Sequence, residues 1–159
     1  MTARALHRAA LLLAACVIVA GSPGCASSPN KLEGSLGDVY DLDFATVDAQ
    51  LVGSFLVVQY VRAASGGKTI KMSVDLTGFT VSPGAAISLV EKGATGGPRG
   101  TLQRIVEATT DLPLATGSLT LDAVPAPGMH LGGSFGATFS MPAGRALRGE
   151  FGVDRVGKL

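Results

Sequence analysis

From Leu131 to Val153 every large apolar side chain falls on an odd-numbered position: Leu131, Phe135, Phe139, Met141, Leu147, Phe151 and Val153, with Gly133, Ala137 and Gly149 between them. A period of two sends alternate side chains to opposite faces of an extended chain, so this stretch can bury one face in a sheet and cannot bury one as a helix. Pro142 to Gly144 interrupt the pattern where a turn is required. The two halves read as an antiparallel hairpin with its aromatic face inward.

The same period recurs upstream. Tyr40, Leu42 and Phe44 alternate with Asp41 and Asp43, Ile70, Met72, Val74 and Leu76 with Lys71, Ser73 and Asp75, and Leu119 and Leu121 with Thr120 and Asp122. Each predicts a strand with one dry and one wet face. Phe55 to Val61 is almost continuously apolar, which places it inside a sheet rather than at an edge, and Ala63 to Lys68 is read as the turn after it. Ser82 to Glu91 fits either a short helix capped by Ser82 or a strand around Ile87 and Leu89, and the strand is preferred beside strand neighbours. Lys92 to Gly100 is expected to be a mobile loop with little to hold it, and Leu102 to Thr109 a further strand.

Glycine accounts for 22 of 159 residues, about twice the usual share of roughly 7%. Helix interiors lose about 1 kcal/mol for each Gly in place of Ala, whereas sheets joined by tight turns accept it. A loose triplet recurs as Gly34-Ser35-Leu36, Gly53-Ser54-Phe55, Gly117-Ser118-Leu119, Gly133-Ser134-Phe135 and Gly149-Glu150-Phe151. It sets Gly and a large apolar residue on one face, so that a ring can lie over bare backbone in the neighbouring strand. The expected fold is all-β, an antiparallel two-sheet sandwich of about eight or nine strands, with a closed barrel as the alternative.

The N-terminal segment follows different rules. Arg4 and Arg8 precede an apolar run from Ala9 to Ala20, broken by Gly21, Pro23 and Gly24 and followed by Cys25. The run is about 12 residues, short of the roughly 17 to 25 that span a bilayer. A charged start, an apolar middle and small residues before a cut resemble an export signal, and a cysteine after the cut resembles that of a bacterial lipoprotein, in which the thiol is acylated before cleavage. Leu13, Ala14, Ala15 and Cys16 match the lipoprotein cleavage pattern fully, whereas Ser22, Pro23 and Gly24 match it only at the last place. Cleavage at Cys16 leaves Val17 to Ala20 as an apolar stub, so Cys25 is preferred as the lipidated residue and Cys16 is the alternative. The expected organisation is a signal over 1–24, a lipidated Cys and tether over 25–33, and one domain over 34–159.

The triplets near 117 and 133, with Arg148-Gly149-Glu150-Phe151, are similar to strands of small Gram-negative lipoproteins of unknown function, over mainly the last 45 residues. That resemblance implies a β fold and an envelope address, with no catalytic residue. Ala26 follows Cys25 where an Asp retains some such lipoproteins at the inner membrane, so the outer membrane facing the periplasm is expected.

Without residues 1–24 the chain keeps 11 basic and 12 acidic side chains, with no two basic residues adjacent. A nucleic-acid partner is not expected, because phosphate binding needs a basic face. Once Cys25 is acylated no thiol is left for a disulfide, so the core alone must hold the fold.

Chemistry-bearing residues are sparse. His130 is the one histidine after Cys25, too few for the usual zinc sets, and no Gly-x-Ser-x-Gly elbow supports a triad with it. Asp38, Asp41, Asp43 and Asp48 form the densest acidic group, without calcium-loop spacing, and are read as a solvated face. Gly96, Gly97 and Arg99 lack the Lys-Ser/Thr ending of a phosphate loop. Neither catalytic residue, metal nor cofactor is expected. The functional expectation is an envelope lipoprotein that contacts the membrane through its acyl anchor and a protein partner through its domain, without enzymatic activity. The alternative is a carrier of a small hydrophobic ligand.

Overall fold

In the computed structural model, residues 30–63 and 67–159 are described, and they form a sandwich of two sheets that do not close into a barrel. The strands are β1 (Lys31–Glu33), β2 (Thr46–Val52), β3 (Phe55–Val61), β4 (Lys68–Asp75), β5 (Ala86–Ser88), β6 (Gly100–Ile105), β7 (Thr109–Leu112), β8 (Leu114–Leu121), β9 (Leu131–Phe139), β10 (Ala146–Val153) and β11 (Gly157–Lys158). One sheet has the order β1-β10-β9-β8-β5, the other β11-β2-β3-β4-β6-β7. All neighbours are antiparallel except β11 on β2. The eleven strands exceed the eight or nine expected, and two of them, β1 and β11, are edge pieces of three and two residues that carry no legible alternation.

The C-terminal hairpin shows what its triplets do. Because β9 and β10 each carry Gly-x-Phe and run antiparallel, the register sets Gly149 opposite Phe135 and Gly133 opposite Phe151. A methyl group on Gly149 would collide with the Phe135 ring, and one on Gly133 would lie 2.8 Å from the Phe151 ring. Each ring therefore occupies the space above its partner's bare backbone. The Gly53 triplet has another use: Gly53, at φ 60, opens the two-residue turn that pairs Val52 with Phe55.

The core lies between the sheets. Leu56, Val58, Tyr60, Ile70, Met72 and Val74 from one and Leu119, Leu121, Leu131, Phe139, Leu147 and Phe151 from the other form one buried cluster. Two contacts cross it directly: the Tyr60 and Phe135 rings meet edge-on at 6.2 Å, and the Tyr60 hydroxyl donates to the Glu150 carbonyl at 2.9 Å. Burial raises the Tyr60 phenol well above its ordinary value. As its apolar run suggests, β3 is central, flanked by β2 and β4 and buried on both faces at Leu56, Val57, Val58, Gln59 and Tyr60.

Four expectations need correction. Tyr40 to Phe44 alternate between half-buried and exposed, yet they are irregular chain outside both sheets, and the strand follows at Thr46–Val52. Phe44 is held by an edge-on contact with Tyr60 at 4.9 Å, so side-chain packing produces the alternation without ladder hydrogen bonds. The tether boundary at 33 is too late: Lys31, Leu32 and Glu33 pair with Glu150, Gly149 and Arg148. The stretch from Leu102 to Thr109 is split by a turn, Ile105 pairing with Thr109. Finally, Lys92 to Gly100 is well fastened, with Lys92 bridged to Pro98, the Arg99 N–H donating to Glu91 O at 2.6 Å and the Gly100 N–H to Leu89 O at 2.8 Å. At Ser82 to Glu91 the chain forms the strand, not the helix. The turn after β3 lies partly outside the described residues; at its base the Arg62 N–H donates to Gly67 O at 2.9 Å.

Candidate functional site

The alternation that fills the core also dictates what the five-stranded sheet shows to solvent. Its even positions carry Thr116, Ser118 and Thr120 on β8, Ser134, Gly136 and Thr138 on β9, and Arg148 and Glu150 on β10. Short side chains leave this outer face low and flat. Three shallow depressions of about 340, 380 and 390 Å3 lie on it, lined in turn around Ser134 and Glu150, Thr120 and Gly133, and Ser118 and Gly136. A methyl group on Gly136 would meet nothing within 4 Å.

Polarity is graded across this face. Between β8 and β9, near their Leu114–Phe139 end, the Thr116 and Thr138 hydroxyls share a hydrogen bond of 2.7 Å. At its β1 edge the charges alternate, with Lys31 opposite Glu150, Glu33 opposite Arg148, and an ion pair of 2.9 Å between Lys31 and Glu33. The hydrogen bond to Glu33 holds the Lys31 ammonium above its ordinary pKa. Such a surface can exchange hydrogen bonds and opposed charges with a flat partner.

The residues singled out for chemistry are not assembled into one site. Both candidate lipidation positions, Cys25 and Cys16, lie outside the described residues. His130 is exposed, its Nε2 3.7 Å from Asp122 Oδ2, while Asp122 Oδ1 accepts the Gly132 N–H at 2.8 Å. The Gly132–Asp122 hydrogen bond ties the end of β8 to the start of β9. The four acids disperse: Asp38 pairs with Arg145 and Asp41 with Arg62, Asp41 also accepts the Asp43 N–H at 2.9 Å, and Asp48 accepts from Gln50 Nε2 at 2.7 Å. Among the described residues no group of three or more His, Cys, Asp or Glu is placed to hold a metal. No helix among them is long and apolar enough to cross a membrane. The Arg99 guanidinium lies 4.5 Å over the Phe79 ring and donates to Asp75 O at 3.1 Å, so it is turned to structural use.

The period of two assigns Asp75 to the wet face of β4, and the structure corrects that assignment. Asp75 is buried, and it accepts the Thr77 N–H at 2.9 Å and the Thr95 N–H at 3.4 Å, joining the end of β4 to the loop before β6. Hydrogen bonding from Thr77, with further support from Thr95, holds its carboxyl below the ordinary carboxylate value. The available signal was Thr two residues after Asp, the spacing of an Asx turn.

A fourth depression, about 470 Å3, opens at the sandwich edge among Val90, Pro98, Leu102, Leu112, Pro113 and Leu114. Comparison of this chain with protein-family models, with curated proteins and with solved structures gives no match.

Proposed function

We propose that this chain is a bacterial envelope lipoprotein, fastened through acyl chains on Cys25 to the outer membrane on its periplasmic side, and that its sandwich is a non-enzymatic module for docking another envelope component. The anchor rests on the charged, apolar and small-residue order of residues 1–25. Each buried methylene contributes about 0.8 kcal/mol, and two or more chains make attachment durable.

One observation favours a module over a hydrophobic-ligand carrier. The space between the sheets, where a carrier would hold its cargo, is taken up by Tyr60, Phe135, Phe139, Phe151 and Met72, all 4% exposed or less. The four depressions described are open ones, three on an outer face and one at an edge. Partner contact then falls to the flat Ser/Thr/Gly face and its charged β1 rim.

The test is expression of the full chain and of Cys25→Ser in a Gram-negative host, with fractionation and mass spectrometry of the amino terminus. Acylated Cys25 in membranes and release of Cys25→Ser are expected. Retention of Cys25→Ser with acyl groups on Cys16 moves the anchor there, and an uncleaved, unmodified terminus overturns it. Native mass spectrometry of the domain then separates the two roles: the bare mass fits the module, and a co-purifying lipid at one per chain favours the carrier.

A further inference from the structure

Ala123, Val124, Pro125, Ala126, Pro127, Gly128 and Met129 are seven consecutive residues without a polar side chain, in the connection between β8 and β9. Such a run ordinarily turns inward, yet Val124 is 58% and Met129 61% exposed. The backbone explains why. The Gly128 N–H donates to Val156 O at 2.8 Å, the Val156 N–H to Met129 O at 2.9 Å, and the Met129 N–H to Ala126 O at 3.2 Å. These bonds hold the loop against the chain after β10, with Ala123 packed on the core and Val124, Pro127 and Met129 facing out, and His130 with Asp122 lies at its stem.

The position of this loop relative to the anchor is set by the sheet. The Gly152 N–H donates to Asn30 Oδ1 at 2.8 Å, Gly152 pairs with Gly132, and the Gly132 N–H donates to Asp122 Oδ1 at 2.8 Å. Asn30, Gly152, Gly132 and Asp122 therefore form one row across the end of the sheet. Since β1 is antiparallel to β10, the chain traced backwards from Lys31 heads towards Val153, the end from which the loop projects. Five residue steps from Cys25 to Asn30 span at most about 18 Å. The nine residues of β9 extend about 27 Å to the opposite end.

We infer that the loop from Ala123 to Met129 is the part of the domain that rests in the lipid interface, so that the acyl chains and this apolar loop grip one bilayer together. The inference builds on the anchor proposed above. A tether shorter than the sheet keeps its own end of the sandwich at the membrane, where a high effective concentration lets a weak apolar contact persist. Two prolines restrict the loop in advance, so little conformational freedom is lost on contact. Exposure alone would not select this end, because Met141, in the turn between β9 and β10 at the other end, is 71% exposed. The tether makes the choice, and it leaves the flat outer face free for a partner.

The chain contains no tryptophan, so a single one reports its own surroundings. Met129→Trp, Val124→Trp and Met141→Trp are made in the full-length acylated protein and reconstituted into phosphatidylethanolamine/phosphatidylglycerol vesicles with or without brominated acyl chains. Blue-shifted emission and loss of most fluorescence to bromolipid are expected at 129 and 124, with neither at 141. Co-flotation with vesicles while 129 and 124 stay as unquenched as 141, or equal quenching at all three, overturns the contact while leaving the anchor intact. Failure to float, with no acyl mass on the amino terminus, removes the anchor itself and the contact with it.

Discussion

At the residue scale, glycine is positioned by what lies opposite. Gly149 faces the Phe135 ring and Gly136 faces open space, although both are single glycines inside long strands of the same sheet. Gly149→Ala is expected to lower stability by about 1–3 kcal/mol through overpacking, and Gly136→Ala to stay within about 0.5 kcal/mol. Urea midpoints of the lipid-free domain measure both, and Phe135→Leu added to Gly149→Ala should recover part of the loss. Asp75 carries a pH dependence of determinable sign. Its carboxyl titrates lower folded than unfolded, so its contribution is complete above the unfolded value of about 3.9 and disappears as pH falls through the folded one. The gap in urea midpoint between the native chain and Asp75→Asn should thus be widest near neutrality and close in strong acid. A gap that stays constant down to pH 2, taken as a point below the ordinary carboxylate range, would show that the carboxylate charge is not involved.

At the scale of elements, one residue outside any strand joins the two sheets. The Leu89 N–H donates to Gly117 O on β8 at 2.9 Å, and its carbonyl accepts the Gly100 N–H on β6 at 2.8 Å. Its side chain fills the space that Gly100 and Gly117 leave, lying within 3.2 Å of where each methyl group would stand. Leu89→Ala removes a fully buried side chain from that seam and should cost about 2–5 kcal/mol in denaturant titration. Val90→Ala, at an exposed neighbour, should stay within about 0.5 kcal/mol. The long strands could be read because period two reports burial, as in β4 and in the β9–β10 hairpin. The same signal misled at Tyr40 to Phe44, where a half-buried irregular segment alternates like a strand. It was silent at β1 and β11, whose three and two residues are too few to show a period.

At the scale of the molecule, the chain changes sheet between β1 and β2, β4 and β5, β5 and β6, β7 and β8, and β10 and β11. With one core cluster shared by both sheets, neither can open without exposing the other. The domain beginning at Ala26 should therefore unfold in a single transition, circular dichroism and tyrosine fluorescence giving one midpoint. Two separated midpoints would show independent sheets.

What the amino-acid order determined unaided was local: which residues turn inward along each long strand, where glycine and proline turn the chain, and that residues 1–25 resemble a lipoprotein signal. Burial along an extended chain repeats every two residues, so it is written in the sequence itself. Which glycine lies beneath which ring, which carboxylate binds a distant loop, and that the apolar loop after β8 leaves the sandwich beside Asn30 were decided only by strand order and register. Those relations join residues up to 122 positions apart, and no local period records them.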